Sequence, residues 1–215
     1  MRLVIFDLDG TLACQNVSFA FSKFLYRKRR LSLSKMLTLI GVYIVHKCGL
    51  LSVKSVHAVA FRCTVAKRCA QDIDNEISIF LKETEKSLFR PYLIERLEEA
   101  KSKGDSICLL SSSPECIVLP IAKRLGIHTV FATQYARDSA GAYIHIASIV
   151  DGQKKREFLE NFLEKKPFLK SSIVAYTDSS DDVPLLEAVG TPIAVCPDPM
   201  LSKIAKRRSW PILRE

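Results

Sequence analysis

The sequence predicts an α/β protein: a parallel sheet with helices on both faces, interrupted after its first strand by an inserted helical cap built like a four-helix bundle. Two patterns predict it. Short apolar runs that end in carboxylates or hydroxyls, at Leu3–Phe6 and again from Ser106 onward, alternate with segments of helical apolar spacing, as strands and helices do when they wind a parallel sheet. Between the first two such runs, from about Cys14 to Phe89, there is no proline and little glycine, and apolar residues recur at helical intervals. The expected division is a core of residues 1–13 and 90–215 and a cap of residues 14–89.

The composition fits one full core and a smaller insert. Of 215 residues, 48% are hydrophobic and 26% charged, which predicts a folded chain rather than disorder. The net charge of +9 attracts anions of any kind and selects none. Met1 and Arg2 lead straight into the first apolar run, leaving no room for a secretory signal, so a cytoplasmic location is expected. Cys14, Cys48, Cys63, Cys69, Cys108, Cys116 and Cys196 are odd in number and include no Cys-x-x-Cys pair, so reduced thiols are expected. His46, His57, His128 and His145 show no metal-binding spacing.

Leu3–Phe6 reads as a short buried strand, and Gly10 reverses the chain after it. Asp7 and Asp9 therefore fall at a strand end, where open α/β sheets place ligands. Two carboxylates one residue apart can share a Mg²⁺ while one attacks phosphorus and the other handles the proton of the leaving oxygen. An ordinary Asp-Gly hairpin turn is the plainer reading; partners further along the chain decide between them. Asp7-Leu8-Asp9-Gly10-Thr11 after a hydrophobic strand resembles the first motif of the haloacid dehalogenase superfamily, most of whose members are Mg²⁺-dependent phosphohydrolases.

Four helices are expected in the cap, on Phe19, Phe21, Phe24 and Leu25; Leu37, Ile40, Ile44 and Val45; Val53, Val56, Val59 and Ala60; and Ile73, Ile77, Phe80 and Leu81. The insert resembles the helical cap of the phosphoserine-phosphatase-like branch, subfamily IB. The run Arg27–Arg30 reads as the solvated end of a helix, with a nucleic-acid or phospholipid patch as the alternative. Met36–Val45 is the most apolar stretch and far shorter than the ~20 residues that span a bilayer. It reads as bundle core, with an interfacial helix touching lipid as the second reading.

Pro91 opens a helix that Gly104 stops, and Ser106–Leu110 forms the next strand. Ser111-Ser112-Ser113-Pro114 follows, with Ser113 the expected cap of a helix over Glu115–Leu125. A hydroxyl at a strand end and free N–H groups at a helix start suit phosphate, and Ser111 matches the family's second motif. Thr129–Ala132 is a strand, and Asp138–Gly141 reads as a hairpin tip. Asp151-Gly152 opens a helix with Phe158, Leu159, Phe162 and Leu163 on its apolar side. The resemblance places a phosphate-neutralising lysine here, Lys155 by spacing or else Lys154.

Ser172–Tyr176 is the last strong strand and runs into Asp178, Asp181 and Asp182, a cluster whose repulsion calls for a cation. Asp178 and Asp182 match the family's fourth motif, with Thr177 where glycine is more usual. A helix to Gly190, a strand at Pro192–Val195 and a terminal helix exposing Lys206-Arg207-Arg208 complete the chain.

The resemblance implies a phosphatase acting on a small phosphomonoester through an aspartyl-phosphate. Asp7 would be the nucleophile and Asp9 the acid and base. Asp7, Asp9 (through its carbonyl), Asp178 and a supporting Asp182 would hold Mg²⁺. Leu8, Asp9, Ser111, Ser112 and Lys155 would bind the phosphate. Ala13–Asn16 offers no acid for a substrate ammonium, which disfavours phosphoserine; other phosphorylated amino alcohols and lipid-related headgroups stay open. A phosphotransferase or a non-catalytic phosphate binder would keep the same motifs. No nucleic-acid partner and no transmembrane segment are expected, and weak membrane-surface contact through the cap is possible.

Overall fold

In the computed structural model, which describes residues 1–47 and 49–214, seven strands form one sheet. They are β1 (Leu3–Asp7), β2 (Ser106–Pro114), β3 (Thr129–Arg137), β4 (Tyr143–Ser148), β5 (Ile173–Thr177), β6 (Thr191–Val195) and β7 (Ile212–Leu213), in the order β4-β3-β2-β1-β5-β6-β7. The sheet is parallel as expected except at one edge, where the hairpin expected at Asp138–Gly141 makes β3 and β4 antiparallel. The cause is local. Asp138 Oδ1 accepts the N–H groups of Ala140 and Ala142 at 3.0 and 2.9 Å, closing a tight turn that returns the chain beside itself. The short β7, not expected from the sequence, pairs with β6 through Ala194 and Val195.

Alternation along β1 sorts its side chains onto two cores. Val4 and Phe6 join the cluster beneath α5 (Pro91–Ser102) and α6 (Glu115–Arg124). Leu3 and Ile5 face α7 (Gly152–Lys165), α8 (Val183–Ala188) and α9 (Pro199–Arg207) through Leu159, Leu185, Leu186, Leu201 and Ala205. Phe6 stacks on Tyr176 at 4.9 Å across β1 and β5. β1 is thus covered on both faces, as its unbroken apolar run requires.

Between β1 and α5 the chain forms α1 (Val17–Arg27), α2 (Leu33–Lys47), α3 (Val53–Thr64) and α4 (Ala70–Leu88). Asn16 caps α1 by accepting Phe19 N–H at 2.9 Å, and Ser52 caps α3 by accepting Ser55 N–H at 3.2 Å. α1 and α4 pack through Phe21, Phe24 and Phe80, with Phe80 5.6 Å from each of the other two rings. Truncating such a buried ring costs about 3–5 kcal/mol. The basic run lies at the end of α1 against the acids of α4: Lys28 pairs with Glu83 at 2.6 Å, Arg27 with the same carboxylate at 3.6 Å, and Arg30 reaches Glu76 at 4.0 Å. Cys14, Cys63, Cys69, Cys108, Cys116 and Cys196 are free thiols; Cys48 lies outside the described residues.

Candidate active site

β1 has β2 on one side and β5 on the other, so the connections that leave it diverge and open a crevice beyond the strand ends. Asp7 is the last residue of β1 and is buried. Lys155 reaches it from the first turn of α7. Asp151 caps that helix by accepting Lys154 N–H at 2.9 Å. The helix can approach because its first residue is Gly152: a Cβ there would sit 1.7 Å from the carbonyl oxygen of Asp181. Lys155 is 2% exposed, and its Nζ donates to Asp7 Oδ1 at 2.7 Å and to Asp182 Oδ2 at 2.8 Å. Lys154 is exposed. Thr177, in the position where glycine was expected, is buried and donates its hydroxyl to the same Asp182 oxygen at 2.6 Å.

Asp9 is gripped from two directions. Its Oδ1 accepts Val17 N–H at 2.7 Å, at the start of α1, and its Oδ2 accepts the Ser111 hydroxyl at 2.9 Å. Ser111 is aimed by a bulge: β2 and β3 stay in register to Ser111–Ala132 and resume at Pro114–Thr133, with Ser112 and Ser113 bulged out between. Thr133 secures the bulge by donating to the Ser112 carbonyl at 2.7 Å. The expected helix cap is corrected here. Strand geometry continues to Pro114, which itself occupies the cap position without a side-chain bond, while Ser113 N–H donates to Ser111 Oγ at 3.0 Å and Ser113 Oγ lies 2.9 Å from Ser18 Oγ. Leu8 keeps its side chain in the core, so only its backbone is available to a ligand.

Asp178 follows β5 and packs against Gly10, where a Cβ would fall 2.1 Å from Asp178 Oδ2 and where φ is +76°. Glycine is required there on both counts. Thr11 Oγ1 lies 3.4 Å from Asp178 Oδ1. Burial pushes the Asp178 carboxyl up to about 7, with Asp182 and Asp9 adding to the rise and Lys155 opposing it. Burial likewise raises Asp7, against the attraction of Lys155, and Asp182, Asp178 and Asp9 raise it further. Burial works against the Lys155 charge, yet Asp182 and Asp7 outweigh it and hold the ammonium protonated.

One ammonium thus serves four neighbouring carboxylates, and the surplus negative charge with its all-oxygen donor set suits a hard divalent cation. Among the described residues no three acid, histidine or cysteine side chains converge on one point. That is compatible with Mg²⁺, which keeps several waters and binds through one or two carboxylates. It does not suit a closed structural zinc site.

Beyond the carboxylates a cavity of about 620 Å³ extends between α1, α2 and α3. Its far wall includes Phe19, Leu39, Val42, Tyr43, Val56 and Ala60, with Phe19 stacked on Tyr43 at 5.1 Å. The apolar spacing of α3 therefore faces a cavity as well as packing. His46 and His57, on different helices, both line it; His46 Nδ1 donates to the Leu51 carbonyl at 2.8 Å. Burial, helped by His46, lowers His57 to about 4. Sequence spacing gave no sign of this pair, since it arises only from the packing of α2 on α3. Arg90, buried beside the first motif, directs Nε to the Gly10 carbonyl at 3.4 Å.

A family model described as haloacid dehalogenase-like hydrolase matches residues 4–187. A Neisseria meningitidis protein named Histidinol-phosphatase is 29% identical over 99% of this chain and 98% of its own length. A Streptomyces azureus protein named Inhibition of morphological differentiation protein is 28% identical over 97% of this chain and 76% of its own. Among solved structures, a Bordetella pertussis protein of unknown function is similar at a TM-score of 0.87 and 23% identity, covering 99% of this chain and 97% of that one. A substrate-bound phosphoserine phosphatase is similar at 0.72 and 17%, covering 94% and 89%. At those identities the two structures bear on the fold alone.

Proposed function

The chain belongs to the haloacid dehalogenase-like hydrolase family, and on that footing we propose that it is a Mg²⁺-dependent phosphomonoesterase in which Asp7 forms an aspartyl-phosphate. The observation that carries this reading is the buried contact of Lys155 Nζ with Asp7 Oδ1 at 2.7 Å, beside an Asp9 held by Ser111 at the mouth of the cavity. Lys155 orients Asp7 by one oxygen and leaves the other to attack phosphorus. As the bond from phosphorus to the leaving oxygen breaks, Asp9 gives that oxygen a proton. Burial raises the Asp9 carboxyl, against hydrogen bonds from Val17 N–H, Ser113 and Ser111, which favours the protonated form an acid needs. Asp9 then takes a proton from water, which attacks the same phosphorus and releases Asp7 and inorganic phosphate.

In this reading the side chains of Asp7 and Asp178 and the carbonyl of Asp9 hold the metal. Bound Mg²⁺ would neutralise charge on the non-bridging phosphate oxygens. Asp182, whose Oδ2 is occupied by Lys155 and Thr177, acts chiefly by fixing the lysine, and its charge would support a bound metal. Ser111 and the backbone N–H groups of Leu8, Asp9 and Ser112 complete the phosphate cradle. α1–α4, residues 14–89 with their connections, form the cap that supplies the substrate's walls. The carboxylates lining the cavity are Asp7, Asp9, Asp178, Asp181 and Asp182, all at the core end. The cap wall thus supports a substrate whose organic part is apolar or aromatic over one that presents an ammonium there.

The test is turnover of an aryl phosphate with Mg²⁺. Asp7→Asn is isosteric and should fold while losing roughly 10⁴-fold or more in rate; a variant turning over as fast as the parent sinks the assignment.

A further inference from the structure

The apolar surface of α2 extends beyond the side that the protein covers. Met36 and Leu39 enter the core, and Val42, Tyr43 and His46 turn toward the cavity. On the other side Leu33, Leu37 and Ile44 are 57%, 58% and 55% exposed, and Val45 and Gly41 continue the stripe in the open. Leu50, just past the helix, is more exposed still. Spacings of four and seven residues put Leu33, Leu37 and Ile44 on one line along the helix. A surface helix normally turns its apolar stripe inward and polar residues outward; here an aliphatic line is turned outward.

The charge around it is one-signed. Residues 10–71 contain eleven Lys and Arg and neither Asp nor Glu, so this stretch alone carries more positive charge than the chain's net +9. Exposed basic residues stand at both ends of the stripe, Arg29 and Arg30 before it and Lys54 after it. Some of the basic run is partnered by Glu83 and Glu76 on α4, but α1, α2 and α3 carry no acid of their own. A second copy of the chain fits poorly, because a two-fold contact would set these like charges against one another. A nucleic acid would meet the charges and leave the aliphatic line unused. No helix among the described residues is long and apolar enough to cross a membrane.

We propose that the outer face of α2, with the basic residues at its ends, rests on an anionic lipid surface. Leu33, Leu37 and Ile44 enter the boundary between headgroups and acyl chains, and the lysines and arginines lie at the headgroup phosphates. This assignment does not depend on the reaction proposed above. It also gives the helix one apolar side for the cavity and one for the membrane.

The experiment is co-sedimentation of the purified protein with vesicles of phosphatidylcholine, with and without phosphatidylglycerol. The expected result is binding to the anionic vesicles only, weakened by salt. It should be weakened at least roughly tenfold in Leu37→Ser/Ile44→Ser, since two partly buried aliphatic side chains are worth more than one factor of ten. Leu33→Ser/Leu50→Ser removes the same insertion from the two ends and guards against a local defect in one variant, with a thermal melt of each matching the parent. Absence of binding to anionic vesicles, undiminished binding by both variants, or a lipid-free dimer that both variants abolish overturns the proposal.

Discussion

Lys155 Nζ and Asp7 Oδ1, 148 positions apart in the chain, lie 2.7 Å apart with both side chains buried. A pair so buried is costly to break from one side, because the carboxylate left behind keeps its desolvation and loses its counter-charge. Lys155→Met should therefore abolish turnover and also destabilise the fold by about 3 kcal/mol near neutral pH. Adding Asp7→Asn to it should recover part of that stability, with Asp182 still lacking its counter-charge, and no activity. Urea unfolding of the single and double variants measures both. Equal stability of Lys155→Met and the parent would mean that the ammonium is not an essential counter-charge.

The Ser111 hydroxyl donates to the Asp9 oxygen opposite the one that accepts Val17 N–H. If Asp9 supplies the proton to the leaving oxygen, its loss should matter least when that oxygen needs no proton. Asp9→Asn is expected to lower kcat/KM by roughly 10²–10⁴-fold on alkyl phosphates and by much less on an aryl phosphate of acidic phenol. A flat loss across leaving groups would count against the acid role. Ser111→Ala should reproduce the same trend in weaker form.

His57 makes a pH prediction of definite sign. Its folded value is lowered from 6.5 to about 4 by burial and by His46. On acidification the unfolded chain takes up the proton first, so stability present above 6.5 is lost as the pH falls toward 4. The loss is at most about 3 kcal/mol by the size of the shift. His57→Phe should fill the site without titrating. Its stability relative to the parent should rise as unfolding is measured at successively lower pH in that window. Parallel profiles for the two proteins would show that His57 is not desolvated.

Much of the core was readable because strand ends are local features. Asp7, Asp9, Ser111 and Asp178 each follow an apolar run closed by a turn or a helix start, and those signals need no knowledge of distant contacts. Spacing favours Lys155 but leaves Lys154 as the alternative. Only the helix start at Gly152, pressed against the Asp181 carbonyl, turns one inward and leaves the other exposed. Ser113 was misjudged as a cap because a serine before Pro-Glu is the usual capping pattern, whereas the bulge in β2 depends on the neighbouring strand.

Among α1–α4 the same periodicity had three outcomes. Ile73, Ile77 and Phe80 of α4 are buried, Val53 and Val56 of α3 line the cavity, and Leu37 and Ile44 of α2 face solvent. Helical spacing says which side chains share a face; it does not say what the face meets.

The sequence by itself determined the alternation of strands and helices up to β6 and the strand ends at which carboxylates and hydroxyls collect, because these follow from period, turn chemistry and short-range sterics. The tertiary structure decided which lysine meets Asp7, which carboxylate holds it, how the start of α1 grips Asp9 through Val17, and which side of α2 is left bare. Each is a contact between segments far apart in the chain, and its energy depends on burial and on charges that only the folded sheet brings together.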